Sequence, residues 1–282
     1  MPTLDLDDGT LWYDERGSGP PLVCLHGGWQ NADAWAPQID RFTDEYRVVT
    51  FDCRGHGRTG ATGSSRYSVD LFVDDLERLL SHISIERPIL CGLSLGGMVV
   101  QSYLDRHPDR ARAAVIGGPL RSMPPVALPR GVKPFLSPLP FVAGMLSAVG
   151  STATFEALLG SIRTTTGRRW LTLDPAVRSE AMKAVGGISV DEYLKIFRAL
   201  YEFGPPDLSH VRTPTLVLYG DQESPLVKRQ GKQIARSVVD GSWREVPDAG
   251  HLVNQDNPRA FNEACAELFG ELERTDGRPL VA

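Results

Sequence analysis

Two kinds of hydrophobic spacing share this chain. Thr3–Asp7 and Thr10–Arg16 alternate apolar and polar residues on either side of Asp8-Gly9, which predicts a leading antiparallel pair of strands. Short apolar runs read as parallel-type strands follow at Leu22-Val23-Cys24-Leu25, Val48-Val49-Thr50-Phe51, Ile89-Leu90-Cys91, Ala113-Ala114-Val115-Ile116, Thr215-Leu216-Val217-Leu218 and Trp243-Arg244-Glu245-Val246. Val69–Ile83, Leu95–His107 and Arg259–Glu273 instead space their apolar residues as a helix with one buried face does.

Strands alternating with helices predict an α/β fold: a mostly parallel central sheet flanked by helices. From Gly118 to Pro206 the alternation stops. That segment opens with a proline-rich piece, Pro119–Pro140, and continues with helical spacing around Phe141–Val149, Thr154–Ile162, Pro175–Val185 and Val190–Phe203. The expected organisation is a core made of residues 1–118 and 207–282, with residues 119–206 inserted as a helical cap.

Composition narrows the function. A chain of 282 residues can bury a substantial core, and its four cysteines, Cys24, Cys53, Cys91 and Cys265, have neither metal-ligand nor disulfide-framework spacing. The acidic N-terminus, Met1-Pro2-Thr3-Leu4-Asp5-Leu6-Asp7-Asp8, is unlike a secretory signal, so a cytoplasmic protein is expected. A net charge of −5 argues against a nucleic-acid partner. The most apolar stretch, Leu139–Val149, falls short of the roughly 20 residues of a membrane span, so no membrane partner is expected either. A small molecule is the expected partner, and a homodimer is left open.

The chemistry starts at Gly92-Leu93-Ser94-Leu95-Gly96-Gly97, placed between a predicted strand and a predicted helix. A serine on such a sharp turn exposes its hydroxyl, and the flanking glycines leave room for the turn. His251, in Pro247-Asp248-Ala249-Gly250-His251, follows the last predicted strand and can serve as the base that a serine nucleophile requires. The acid that orients it comes from Gly220-Asp221-Gln222-Glu223. Glu223 is favoured because the chain should have bent over the site by then, and Asp221 is the alternative. His26-Gly27-Gly28-Trp29 brings backbone amides beside the serine, so the Gly28 and Leu95 N–H groups are the candidate oxyanion donors, with Trp29 N–H second. His26 and His56, the latter in Asp52-Cys53-Arg54-Gly55-His56-Gly57, read as structural. Trp29, Phe141, Met145 and Leu158 are candidate pocket residues, with Trp29 and Trp35 each open to a wall or a core role. The cap is expected to shape the pocket and to contribute little to the Ser94, Glu223 and His251 set. No cofactor and no metal are implied.

In their order and spacing these motifs resemble the α/β-hydrolase fold superfamily over nearly the whole chain, within the branch of 3-oxoadipate enol-lactonases, haloperoxidase-like esterases and small carboxylesterases. The resemblance implies a serine hydrolase acting on a carboxylic ester or lactone through an acyl-enzyme. Ser94 sets it apart from relatives with an aspartate nucleophile, which disfavours haloalkane dehalogenation and epoxide opening, and Glu223 stands where family members usually carry aspartate. Two rivals stay in view. One is an enol-lactonase for a carboxylate-bearing substrate, with Arg163, Arg168, Arg169 or Lys183 turned inward; the other is a ligand receptor on the same scaffold.

Overall fold

The structure, a computed structural model, describes residues 2–123, 137–166 and 170–275. Eight strands form one sheet: β1 (Thr3–Leu6), β2 (Gly9–Arg16), β3 (Pro21–Leu25), β4 (Arg47–Phe51), β5 (Ile89–Leu93), β6 (Ala113–Gly117), β7 (Thr215–Gly220) and β8 (Gly241–Val246). Their spatial order is β1-β2-β4-β3-β5-β6-β7-β8. β1 and β2 pair antiparallel, β2 runs antiparallel to β4, and every pair from β4 across to β8 is parallel. The apolar runs are explained by burial: every residue of β5, β6 and β7 is buried. β8 forms the edge of the sheet, and only Val246 of it is buried.

The connections from β3 step first toward β4 and then back across to β5. This reversal opens a crevice beyond the carboxyl ends of β3 and β5, where open α/β sheets take their ligands. Helix α1 (Ala36–Phe42) follows β3, α2 (Val69–His82) follows β4, and α3 (Leu95–Arg106) leaves β5 directly. Ser68 caps α2, its hydroxyl accepting the Leu71 N–H at 3.1 Å. After β7 come α7 (Pro225–Ser237), the short α8 (Val253–Asp256) and α9 (Pro258–Thr275). Neither α1 nor α7 was expected from spacing. α1 is only seven residues long, and α7 buries few apolar side chains, Val227, Ile234 and Ala235, along a largely polar helix.

Between β6 and β7 lie α4 (Leu139–Thr166), α5 (Pro175–Gly186) and α6 (Val190–Glu202). α5 and α6 both pack against α4. Gly150, at φ 79° and ψ 177°, breaks α4 where the spacing predicts one helix ending and another beginning. By length and composition Leu139–Ser161 would suffice to cross a membrane, at a mean hydropathy of 1.4, although Leu139–Val149 alone is too short. α6 is tied to the core through Glu192, which accepts the Tyr67 hydroxyl and the Lys195 ammonium. Burial and the Glu192 carboxylate push the Tyr67 phenol up to about 12.

Two expected pocket residues are misplaced by the expectation. Phe141 is 67% exposed, and neither it nor Met145 borders the cavity described below. The first half of α4 turns Val142 and Leu146 inward instead, at 0% and 1% exposure. One position along a helix is a rotation of about 100°, and a stretch that is apolar all round carries no signal for which face is buried. Replacing Leu146 with alanine should therefore cost about 2–5 kcal/mol in denaturant unfolding. Phe141→Ser should stay within about 0.5 kcal/mol of wild type in the same measurement.

Candidate active site

Ser94 is held at φ 52° and ψ −106°, a backbone conformation that side-chain-bearing residues rarely adopt. Two hydrogen bonds hold the turn: Ser94 N–H donates to the Gly117 carbonyl at 2.9 Å, and Gly96 N–H to the His26 carbonyl at 3.1 Å. A Cβ on Gly92 would overlap the Gly96 carbonyl, and one on Gly96 would overlap that of Leu25. The glycines are thus required by the close approach of β3, β5 and the first turn of α3.

The hydroxyl so presented meets the loop after β8. His251 Nε2 lies 3.0 Å from Ser94 Oγ, and His251 Nδ1 lies 2.7 Å from Glu223 Oε2. With Nδ1–H donating to the carboxylate, Nε2 is free to accept the serine proton. Glu223 is wholly buried and His251 nearly so. The other carboxylate oxygen of Glu223 accepts the Ser224 N–H at 2.7 Å and the indole N–H of Trp170.

Asp221 does different work. Its carboxylate accepts the Ala249 N–H at 3.1 Å, steadying the loop that carries His251 rather than the ring. Burial opposes its charge, but the Ala249 N–H and neighbouring donors outweigh it and hold the carboxyl below the usual carboxylate range.

A family model described as the alpha/beta hydrolase family matches residues 22–264. The chain belongs to the alpha/beta hydrolase family. Among its relatives, 3-oxoadipate enol-lactonase 2 of Acinetobacter baylyi is 26% identical over 283 residues, covering 95% of this chain and 96% of that protein. A carboxylesterase of Bacillus subtilis is 23% identical over 252 residues, covering 86% and 78% of the two chains. Among solved structures, a thermophilic esterase from Thermogutta terrifontis superposes with a TM-score of 0.78 at 22% identity, over 94% of each chain. These family relatives support hydrolase activity for the chain.

The loop after β3 lies against the Ser94 turn. A Cβ on Gly27 would stand 3.5 Å from that of Ser94, and one on Gly28 3.8 Å from that of Leu95, so the two candidate oxyanion amides are neighbours. Leu95 N–H opens α3, where the first amides have no partner inside the helix. Trp29 N–H is committed elsewhere, donating to His56 Nε2 at 3.0 Å, while Trp29 itself sits at φ 61°. His26 performs the matching service, its Nε2 accepting the Cys53 N–H at 3.0 Å. Each ring sends its Nδ1–H to a main-chain carbonyl, Gly27 for His26 and Arg54 for His56, both at 2.8 Å. The two motifs after β3 and β4 therefore brace one another through a pair of buried imidazoles.

A cavity of about 510 Å³ opens over Ser94 and His251. Trp29 and Leu158 line it, with Phe155, Leu159, Phe197 and Leu200 among their neighbours, whereas Trp35 is buried in the core against Phe261. More than half of the described lining comes from α4 to α6 and the segment at Trp170. No lysine or arginine lines it among the described residues. Lys183 points to solvent with its side chain 80% exposed, and Arg168, Arg169 and the Arg163 side chain lie outside the described residues.

The inserted segment was expected to contribute little to the serine set, yet Trp170 bonds directly to Glu223. Asp256 was also missed: it accepts the Gly250 N–H at 2.7 Å beside His251. A lone tryptophan beyond a helix and an acid five residues past the histidine have no spacing that flags them in advance.

Burial lowers the affinity of both His26 and His56 for a proton, His56 further through its neighbour His26, while Asp52 partly opposes this for His26. In the unfolded chain both would titrate near the ordinary histidine value of about 6.5. Protons then favour the unfolded state as pH falls, so stability present above about pH 6.5 is lost below it, by up to about 1.4 kcal/mol per pH unit per histidine. Urea midpoints measured from pH 7 to pH 5 should fall accordingly. His56→Gln should flatten that slope, and an unchanged slope would refute the assignment.

Proposed function

We propose that the chain is a cofactor-free serine hydrolase of carboxylic esters or lactones with an uncharged, apolar acyl or alcohol part. The observation that carries this reading is the hydrogen-bonded line from Ser94 through His251 to Glu223, opening onto an apolar cavity. Ser94 Oγ attacks the carbonyl carbon while His251 Nε2 takes its proton, and Glu223 stabilises the imidazolium. Negative charge moves to the former carbonyl oxygen, where the Gly28 and Leu95 N–H groups receive it. His251 returns the proton to the departing alkoxide, leaving an acyl-serine. Water, deprotonated by the same imidazole, then releases the acid and restores the hydroxyl. For a lactone, acid and alcohol leave as one molecule.

Residues 119–206 act in this reading as the cap that selects the substrate, within a core formed by residues 1–118 and 207–282. A carboxylate-bearing lactone fits less well, because the described wall offers it no cation and Lys183 faces away.

Ser94→Ala and His251→Ala should each lower kcat on a good p-nitrophenyl ester by roughly 10³-fold or more, with the fold intact by circular dichroism. Glu223→Ala should be far more damaging than Asp221→Ala; the reverse order would transfer the acid role. Sustained turnover of an aryl ester also separates an enzyme from a ligand receptor on this scaffold. A panel of esters and lactones graded by chain length tests the pocket. Enlarging Leu158 should change kcat/KM unequally along that panel, by about 1–3 kcal/mol per methylene excluded. Loss of thermal stability with an unchanged substrate ranking would make Leu158 merely structural.

A further inference from the structure

Trp170 stands where the inserted segment meets the histidine loop. Its indole N–H donates to Glu223 Oε1, while the other oxygen of the same carboxylate faces His251. Its ring lies over the imidazole, with centroids 4.3 Å apart and planes inclined by 30°. The main chains are joined too: His251 N–H donates to the Trp170 carbonyl and Leu252 N–H to that of Leu171, each at 2.9 Å. Just beyond, Asp256 accepts the Gly250 N–H at 2.7 Å, the Leu173 N–H at 3.2 Å and the Thr172 hydroxyl. One strap, residues 170–173, is thereby fastened to the loop that carries the base.

We propose that Trp170 is a positioning residue for the acid and base, supplied by the inserted segment and acting through Glu223. The inference rests on the serine-hydrolase reading above. A glutamate carboxylate has one more torsion than that of aspartate, so it needs more restraint to keep one oxygen on the imidazole. A donor on Oε1 fixes the plane of the carboxylate and leaves Oε2 directed at Nδ1. Hydrogen bonds to a charged group are the strong ones in a buried site. The indole face resting on the imidazole opposes tilting of the ring away from Ser94.

Trp170 also borders the cavity, so its contribution through Glu223 has to be separated from that of a wall. Trp170→Phe keeps an aromatic surface and removes the donor. The expected result is a kcat about 10- to 100-fold lower, the range for losing one hydrogen bond to a charged group, with KM and the ranking of ester chain lengths unchanged. In a Glu223→Ala background the same substitution should change kcat by less than about 2-fold, because the group it acts through is gone. Equal losses in the two backgrounds, or near-wild-type kcat in Trp170→Phe alone, would overturn the proposal. Should Trp170→Phe fail to fold, Trp170→Leu, which also removes the donor, goes through the same cycle, and equal losses in the two backgrounds or a near-wild-type kcat would overturn the proposal. Near-wild-type kcat in Ser94→Ala or Glu223→Ala protein would refute the hydrolase reading itself. Inactive versions of those two beside an unaffected Trp170→Phe would refute this proposal alone.

Discussion

A carboxylate with no exposure to water has to be surrounded by donors, and Glu223 draws three parts of the chain together to meet that need. Ser224 supplies a main-chain N–H from its own loop, His251 a ring N–H from the loop after β8, and Trp170 an indole N–H from the inserted segment. Each donor is useful only while its own loop is held, and the holding groups are themselves buried or bonded: Asp221 on Ala249, Asp256 on Gly250. Burial of one negative charge thus fixes the mutual arrangement of segments far apart in sequence.

The second constraint is steric. At Ser94 the chain passes so close to β3 and the start of α3 that side chains on Gly92 or Gly96 have no space. This packing holds the serine in its uncommon backbone state, which by itself would relax. The buried His26 and His56 extend the same rigidity to the loop bearing Gly28, since their ring nitrogens accept the amides of Cys53 and Trp29.

Much of this could be read from the sequence because the relevant signals are local. An apolar run followed by Gly-Leu-Ser-Leu-Gly encodes strand, turn and helix within a few residues, and Gly-His after the last strand places His251. Glu223 could be preferred over Asp221 by counting residues from Gly220. What escaped depends on long-range contacts or on phase. The inward face of α4 was assigned to Phe141 and Met145 when Val142 and Leu146 hold it, because a uniformly apolar helix has no preferred side. Trp170 and Asp256 owe their roles to meetings across 53 and 84 positions with Glu223 and Thr172, and no spacing rule spans such distances. α7 was overlooked because its buried stripe is thin among lysines and arginines.

The strap at residues 170–173 changes how this family member could be recombined. The inserted segment leaves the sheet after β6 and returns to it before β7. A graft cut there would take away a donor to Glu223 and the three main-chain partners and one hydroxyl that fasten the histidine loop. A chimera that swaps α4 while leaving the strap native keeps the acid and base clamped as its binding wall changes. The boundary between the part of the inserted segment that only walls the cavity and the part bonded to Glu223 and His251 therefore falls just before Trp170.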